Sequence, residues 1–129
     1  FRIFAALSKD RGETWSRPAQ TNIPDSRAKQ SAGNLPGGGA FIINNPSNSK
    51  ARFPLVISTS ADGVVFDRAY ILRAEGDKLP AQKYPGRYKR VGYSYPKSMV
   101  HNGYVYTAYG TGKEDIDITR VPVASLQYE

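Results

Sequence analysis

Two pairs of segments in this chain repeat the same order of features. Residues 35–44 and 99–108 each contain a strand end, a glycine turn and an apolar strand, and residues 7–15 parallel residues 59–66. Repeats at this spacing indicate one supersecondary unit used several times, with room for about four short strands in each unit. The repeat therefore predicts an array of small antiparallel sheets, although a small sandwich or barrel would also have evenly spaced strands.

The local signals predict almost entirely β-structure. With 9 Tyr, 12 Gly and 9 Pro, the composition is that of short strands joined by tight turns. No stretch has useful helical periodicity, apart from a weak turn at residues 124–128. Turns or loops are predicted at residues 8–15, 22–25, 36–39, 45–50, 61–63, 74–90 and 101–103. The predicted strands are residues 2–7, 31–35, 40–44, 53–59, 66–73, 95–100, 104–109 and 116–121.

Composition also limits the chemistry of the chain. Because there is no cysteine, no disulfide framework or Cys-based metal site can form, and we expect neither a metal nor a cofactor. The net charge of +7 is scattered rather than clustered, which argues against nucleic-acid binding and favours a basic surface for anionic ligands. No apolar run is long enough to cross a membrane. The sequence begins inside an apolar strand-like run, from which we expect truncation or processing.

The most specific motif is a turn with the pattern S-x-D-x-G-x-T-W. Its fixed positions are Ser8, Asp10, Gly12, Thr14 and Trp15. The Ser and Asp side chains can bond backbone amides of their own turn, and glycine supplies a conformation that other residues resist. We expect the tryptophan ring to be buried against a neighbouring strand. A second, degenerate copy keeps Ser60, Asp62, Gly63 and Phe66.

This turn resembles the Asp-box of sialidase-like β-propellers. The resemblance implies an all-β fold, namely a fragment of a six-bladed propeller with about two and a half four-stranded antiparallel blades. Residues 1–25 would be the end of one blade with the Asp-box, residues 26–78 a complete blade and residues 79–129 the final blade. Asp-boxes lie at blade turns, far from the central site of the family, so the motif implies a structural role for Asp10.

Two further segments resemble strands that carry catalytic residues in sialidases. Residues 52–58 resemble the strand with the last arginine of the substrate-carboxylate triad, which implies that role for Arg52. Residues 92–100 resemble the strand with the tyrosine nucleophile, which implies Tyr95, with Tyr93 as the alternative on the same strand face. Arginine binds a carboxylate through two parallel hydrogen bonds, and a neutral tyrosine is not repelled by the charge of the substrate.

Each candidate site residue also has a purely structural interpretation. Arg52 could be a solvated loop cation, and Tyr95 a core or channel-lining ring. Arg87 and Arg90 could face the channel and bind substrate, or simply face solvent. His101, the only histidine, is expected to be exposed at its turn. The acidic residues at 114, 115 and 117 are expected on a solvated edge rather than around a cation.

The chain departs from the sialidase pattern at two places. Sialidases have a glutamate just before the strand that leads into the glycine turn, and an arginine at the end of the strand after it. This chain has Lys29-Gln30 and Asn44-Asn45 there. The resemblance assigns the first arginine and the catalytic aspartate to earlier blades. We therefore expect the chain alone to be inactive.

The resemblance leaves two classes of function open. In the first, the resemblance implies that the chain is the C-terminal part of a sialidase-like glycoside hydrolase or glycan-recognising propeller that acts on terminal sugars, including acidic ones. The alternative is a fragment of a non-catalytic propeller that binds carbohydrate, has a structural role or binds proteins. The expected partners are a glycan or glycoconjugate and either the missing N-terminal blades or another copy of the chain. We expect a secreted or periplasmic location.

Overall fold

A computed structural model describes residues 1–74 and 79–128 of the chain. The strands are β1 (Arg2–Ala5), β2 (Ala19–Pro24), β3 (Ser31–Asn34), β4 (Ala40–Asn44), β5 (Leu55–Ser60), β6 (Arg68–Arg73), β7 (Tyr93–His101), β8 (Tyr104–Thr111) and β9 (Asp115–Pro122). Two short 3₁₀ turns are also present: Pro36–Gly38 lies in the predicted glycine turn at residues 36–39, and Val123–Ser125 overlaps the weak turn predicted at residues 124–128. The described residues contain no α-helix, and the predicted all-β fold is confirmed.

The strands form three antiparallel sheets in chain order. The first sheet pairs β1 with β2, the second has the order β3-β4-β5-β6, and the third has the order β7-β8-β9. The first strands of the second and third sheets, β3 and β7, lie side by side. Ser31 Oγ and Ser98 Oγ are 2.6 Å apart, and the Ser98 amide donates to Ser31 Oγ. Sheets whose first strands meet in this way fit a fragment of a propeller.

The blade limits given above stay a prediction. The second sheet spans residues 31–73 and the third spans residues 93–122, so both lie inside the proposed ranges. Residue 78, which ends one proposed blade, lies outside the described residues, as do residues 75–77 of the predicted connection.

Strand β2 differs from the sequence-based expectation. A loop was predicted at residues 22–25, but Ala19–Pro24 pairs antiparallel with β1. The Thr21 hydroxyl also donates to the carbonyl of Ile3, at 2.9 Å, which adds a side-chain bond to the ladder. Pro24 is tolerated because it ends a strand at the edge of a two-stranded sheet, where no inner neighbour needs its missing N–H. The turn-forming residues therefore did not prevent pairing.

The hydrophobic core lies between the second and third sheets. Strand β8 alternates strictly, with every second residue from Val105 to Thr111 buried, as expected for a strand with one face on a core. At its centre the rings of Tyr93 and Tyr109 meet edge to face with centroids 5.6 Å apart. The buried apolar residues of the cluster are Leu35, Phe41, Ile43, Leu55, Ile57, Tyr93, Val105, Tyr109, Val123 and Leu126.

Residues after β9 connect the third sheet to the second through hydrogen bonds. The Gln127 amide donates to Tyr70 Oη at 2.9 Å, and the Gln127 carbonyl accepts from Thr59 Oγ1 at 2.6 Å. Tyr128 Oη donates to the carbonyl of Pro36 at 2.9 Å. Because these bonds join residues far apart in sequence, the two sheets form one packed unit.

The Asp-box turn forms the local hydrogen bonds that its sequence predicts. Ser8 Oγ accepts from the Gly12 amide at 2.7 Å and donates to Asp10 Oδ1 at 2.8 Å. The Asp10 carboxylate accepts from the Thr14 hydroxyl and from the Thr14 amide, the latter at 2.9 Å. These bonds, led by that of the Thr14 hydroxyl, lower the pKa of Asp10 to about 2. Gly12 has a φ of +94°, a conformation that favours glycine.

The expected burial of Trp15 was wrong. Its side chain is 63% exposed, and its indole N–H donates to the carbonyl of Gly12 at 3.0 Å. The ring therefore folds back over its own turn, and that single bond satisfies its donor without a neighbouring strand.

The degenerate second copy at residues 60–66 has the same bonding pattern. Ser60 Oγ accepts from the Gly63 amide and donates to Asp62 Oδ1, both at 2.9 Å. Asp62 Oδ1 accepts from the amides of Val64 and Val65, each at 2.8 Å. The turn thus keeps its hydrogen bonds although one residue is missing and Phe66 stands in place of the tryptophan.

Candidate functional site

The backbone of β7 is distorted where it carries Tyr95. The pairing with β8 shifts register between Ser94 and Lys97, which marks a β-bulge. Tyr95 has a φ of +57°, while Ser94 and Pro96 on either side are buried. A non-glycine residue in this region costs on the order of 1–3 kcal/mol, and such strain is concentrated at functional sites. The bulge leaves the Tyr95 side chain 45% exposed.

Tyr93 does not share the environment of Tyr95. The sequence-based expectation placed both rings on one strand face, but Tyr93 is only 4% exposed and packs on Tyr109 in the core. The bulge is the reason, because an extra residue in a strand reverses the side to which later side chains point. Tyr93 is therefore a core residue.

Arg52 is held next to the start of β7. The carbonyl of Arg52 accepts from the Tyr93 amide at 2.6 Å, and Arg52 forms an isolated parallel bridge with Gly92. Gly92 has a φ of +113°, and a Cβ there would lie less than 3.0 Å from the Arg52 carbonyl oxygen. Only glycine allows this approach. The close contact brings Arg52 to the same edge of the molecule as Tyr95.

The guanidinium group of Arg52 is bound by the backbone. Its Nη1 donates to the carbonyls of Ser26 and Lys50, at 2.9 and 3.1 Å, and to Ser26 Oγ at 3.2 Å. Its Nε is buried and has no hydrogen-bond partner among the described residues. Arg52 is thus an ordered, half-buried cation rather than a solvated loop residue.

Two lysines lie near the ring of Tyr95, and the charge of Arg52 also acts on it. The ammonium groups of Lys113 and Lys29 lie 5.2 Å and 5.9 Å from the centroid of its ring. Hydrogen bonding to Lys113 lowers the pKa of Tyr95 below its usual value, and the charges of Lys113, Arg52 and Lys29 lower it further. The structure therefore brings Arg52 and Tyr95 together electrostatically, in a site that is basic and contains an exposed ring.

Arg87 and Arg90 contact neighbours in their own loop. The exposed Arg87 guanidinium lies 5.4 Å from the ring centroid of Tyr88. The half-buried Arg90 donates to the carbonyl of Lys89 at 2.8 Å. The substrate-binding role of Arg87 at the Tyr95 site stays a prediction.

The two departures from the sialidase pattern have different structural outcomes. Lys29 is one of the cations over Tyr95, so a positive group faces the tyrosine where the family has a carboxylate. Asn44 and Asn45 are fully buried, and their amide groups donate to the carbonyls of Pro24 and Pro54, each at 3.0 Å. The Asn44 bond joins the end of β4 to the end of β2, and the Asn45 bond joins the loop after β4 to the residue before β5.

The acidic residues near the β8–β9 turn bind protein groups. Glu114 pairs with Lys89, Asp115 lies 3.9 Å from Lys83, and Asp117 accepts from the Thr111 hydroxyl. Within residues 1–74 and 79–128 there is no group of three or more His, Cys, Asp or Glu that could hold a metal ion. In the same residues, no helix is long and apolar enough to cross a membrane.

A cleft lies elsewhere, between the first and second sheets. Its volume is about 770 Å³, and its walls are mainly apolar, with Ile3, Ile23, Phe41 and Val65 among the lining residues. Neither Tyr95 nor Arg52 lines it. The candidate site around the exposed ring of Tyr95 is therefore separate from this cleft.

Residues 1–107 match the BNR repeat-like domain family, and they include the Asp-box, Arg52 and Tyr95. The chain belongs to this family. A solved structure of a protein named sialidase is similar to 93% of the chain, with a TM-score of 0.78 and 30% sequence identity. The match covers 11% of that sialidase chain. The comparison with curated proteins gives no match. The resemblance inferred from the Asp-box is thus confirmed for the family and for the fold.

Two residues of the basic site were missing from the sequence-based site. Lys29 was noted only as a replacement for glutamate, and Lys113 was not considered. The hairpin turn at residues 101–103 contains a signal for Lys113: regular pairing counted back from His101 opposite Tyr104 places Tyr93 opposite Gly112, one residue from its observed partner Thr111. That pairing places the turn after Thr111 beside the start of β7.

Proposed function

We propose that Tyr95 is the centre of a binding site for a terminal sugar that carries a carboxylate. The observation that supports this best is the exposed ring of Tyr95, held on a strained bulge with the ammonium groups of Lys29 and Lys113 5.9 Å and 5.2 Å from its centroid. An aromatic face packs on the apolar side of a sugar ring, and clustered cations attract its carboxylate.

The three cations contribute in different ways. Nη1 of Arg52 is occupied by backbone carbonyls and its Nε is buried, so we expect Arg52 to attract the carboxylate by charge. Lys29 and Lys113 have ammonium groups near the ring of Tyr95, each with three donors, which can bind the carboxylate directly. This differs from a site in which several arginines each bind the carboxylate through two hydrogen bonds.

Hydrolysis by the longer protein is the second candidate function. The lowered pKa of Tyr95 supports it, because cations favour the phenolate that would act as nucleophile. The phenolate oxygen would bond to the anomeric carbon as the glycosidic C–O bond breaks, and the leaving alcohol would take a proton from the family's acid, which belongs to earlier blades. Water would then release the sugar and restore the phenol.

Binding is tested by calorimetry with the methyl α-glycoside of N-acetylneuraminic acid and with its uncharged methyl ester. We expect the carboxylate form to bind at least roughly tenfold more tightly, a difference of about 1.4 kcal/mol. The paired substitution Lys29→Met and Lys113→Met should abolish this preference. The matched control is Lys9→Met, which removes one exposed lysine at the Asp-box. Equal affinity for the two sugars would refute the proposal.

Hydrolysis is tested separately with a fluorogenic sialoside. The substrate is offered to this chain and to the longer protein, and the Tyr95→Phe variant of each is compared. Turnover by the longer protein that is lost in Tyr95→Phe supports a nucleophilic tyrosine. Binding of the carboxylated sugar without turnover by either protein supports glycan recognition alone.

A further inference from the structure

A basic, tyrosine-rich loop lies beside the Tyr95 site. The loop comprises residues 82–90, with the sequence QKYPGRYKR, and is called here the 82–90 loop. It has no regular strand, but a turn inside it closes where the Lys89 amide donates to the carbonyl of Gly86 at 3.1 Å. Both of its tyrosines are among the most exposed large side chains of the described residues: Tyr84 is 68% and Tyr88 is 70% exposed.

Glu114 fixes this loop onto the β8–β9 turn. Its carboxylate accepts from the backbone amides of Lys83 and Tyr84, at 2.8 and 2.9 Å, and pairs with the Lys89 ammonium group. The Glu114 and Lys89 side chains are only 9% and 17% exposed. A largely buried ion pair with two further amide bonds holds a loop in one position much better than an exposed pair does.

Lys113 connects the loop to Tyr95. Its ammonium group donates to the carbonyl of Tyr88 at 2.9 Å and lies 5.2 Å from the centroid of the Tyr95 ring. One lysine therefore contacts both the backbone of the loop and the tyrosine at the centre of the proposed site. A ligand that binds at Tyr95 would have its attached groups within reach of the 82–90 loop.

The exposed rings of the loop are paired with cations. Arg87 lies 5.4 Å from the ring centroid of Tyr88, and Lys89 lies 5.7 Å from that of Tyr84. Neither ring belongs to the hydrophobic core cluster. Large exposed rings on a loop that is firmly held form a surface on which the apolar face of a sugar ring can pack, and the neighbouring cations can donate hydrogen bonds to its hydroxyls.

We propose that the 82–90 loop is a second sugar subsite, in which Tyr88 and Arg87 bind the residue attached to the terminal sugar at Tyr95. The ligand class is an oligosaccharide with an acidic terminal residue. This inference rests on the proposed function, because the second subsite needs a sugar bound at Tyr95. Glu114 acts as a positioning residue, since it holds the loop without contacting the sugar.

The experiment compares two ligands with this chain by calorimetry: the methyl α-glycoside of N-acetylneuraminic acid and the trisaccharide sialyllactose. The trisaccharide should bind roughly tenfold more tightly than the monosaccharide. Tyr88→Ala should remove this ratio and leave the monosaccharide affinity unchanged. Glu114→Gln, which weakens the bonds that hold the loop, should also lower this ratio. The matched control is Tyr106→Ala, in a tyrosine that pairs with Tyr104 instead.

The outcomes separate this inference from the proposed function. If both ligands bind equally well and Tyr88→Ala changes neither affinity, the second subsite is refuted and the site at Tyr95 stands. If Tyr88→Ala weakens both ligands alike, the loop acts on the first sugar and the second subsite is again refuted. If neither ligand binds the unmodified chain, the proposed function and the subsite both fail.

Discussion

The ammonium group of Lys113 lies 5.2 Å from the centroid of the Tyr95 ring. Tyr95 lies in β7 and Lys113 in the turn between β8 and β9, and the β7–β8 register brings them together. Lys113 follows the positive-φ residue Gly112 in the β8–β9 turn, and Tyr95 lies on the bulge of β7. The acidity of the tyrosine therefore depends on the shape of a neighbouring hairpin.

The first prediction concerns the acidity of Tyr95. Lys113→Met should raise the pKa of Tyr95, because it removes the hydrogen bond and the charge that favour the phenolate. NMR of ¹³Cζ-labelled tyrosine during a pH titration measures this, and the Tyr95→Phe spectrum assigns the resonance. Lys9→Met is the control and should not move the titration. An unchanged Tyr95 pKa in Lys113→Met would mean that the lysine does not act on the phenol.

The second prediction concerns the Asp-box in acid. The pKa of Asp10 falls from 3.8 to about 2 on folding, so the stabilisation from its charged form is complete above pH 3.8 and is lost as pH falls towards 2. The Asp10→Asn variant should therefore lose less stability than the unmodified chain over this window. Thermal unfolding at pH 4.5, 3.5 and 2.5 measures the difference, with Asp67→Asn as the exposed control. If the stability of Asp10→Asn and that of the unmodified chain changed equally with pH, the lowered pKa of Asp10 would be contradicted.

The third prediction concerns the approach of Arg52 to β7. Gly92→Ala should destabilise the chain by about 2 kcal/mol more than Gly37→Ala. Both glycines have positive φ, at +113° and +79°, but only the added Cβ at Gly92 would collide with a carbonyl oxygen. Urea unfolding gives the two free energies of unfolding. Equal losses would show that backbone conformation alone, and not the contact with Arg52, requires glycine at position 92.

The fourth prediction concerns the buried amide of Asn44. Asn44→Asp should cost about 3 kcal/mol at neutral pH, because a carboxylate would replace the donor to the Pro24 carbonyl in a fully buried position. Lowering the pH should restore part of this stability, since a protonated carboxyl can donate again. Asn22→Asp, at an exposed position of β2, is the matched control. A loss that is equally small in both variants at pH 7 would contradict the role of Asn44.

The sequence predicts those parts of the fold that depend on local bonds. The Asp-box bonds of Ser8 and Asp10 form within one turn, and the hairpin at Asn102-Gly103 needs two residues with positive φ. The position of Trp15 depends instead on which surfaces surround the turn, and sequence patterns do not contain that information. Strand β2 was missed because its pairing with β1 outweighs the turn signals at Asn22 and Pro24.

The candidate site could be predicted only in part, because the positions of several of its side chains depend on tertiary packing. Tyr95 and Arg52 were identified from family resemblance, but the assumption of a regular strand placed Tyr93 on the same face. A bulge is a tertiary adjustment between paired strands, and its position cannot be deduced from the alternation of β7 alone. Lys29 and Lys113 approach Tyr95 from the loop before β3 and from the β8–β9 turn, so their proximity depends on how two sheets pack.

The central claim is that Tyr95 and its cations form the site for a carboxylated sugar. Amide and side-chain NMR of the ¹⁵N,¹³C-labelled chain during titration with 2-deoxy-2,3-dehydro-N-acetylneuraminic acid tests it most directly. We predict saturable shifts that centre on Tyr95, Lys29 and Lys113, reach Arg52, and are absent from the Asp-box at residues 8–15. Saturable shifts that centre on the cleft between the first two sheets, or no shifts at Tyr95 at millimolar sugar, would contradict it.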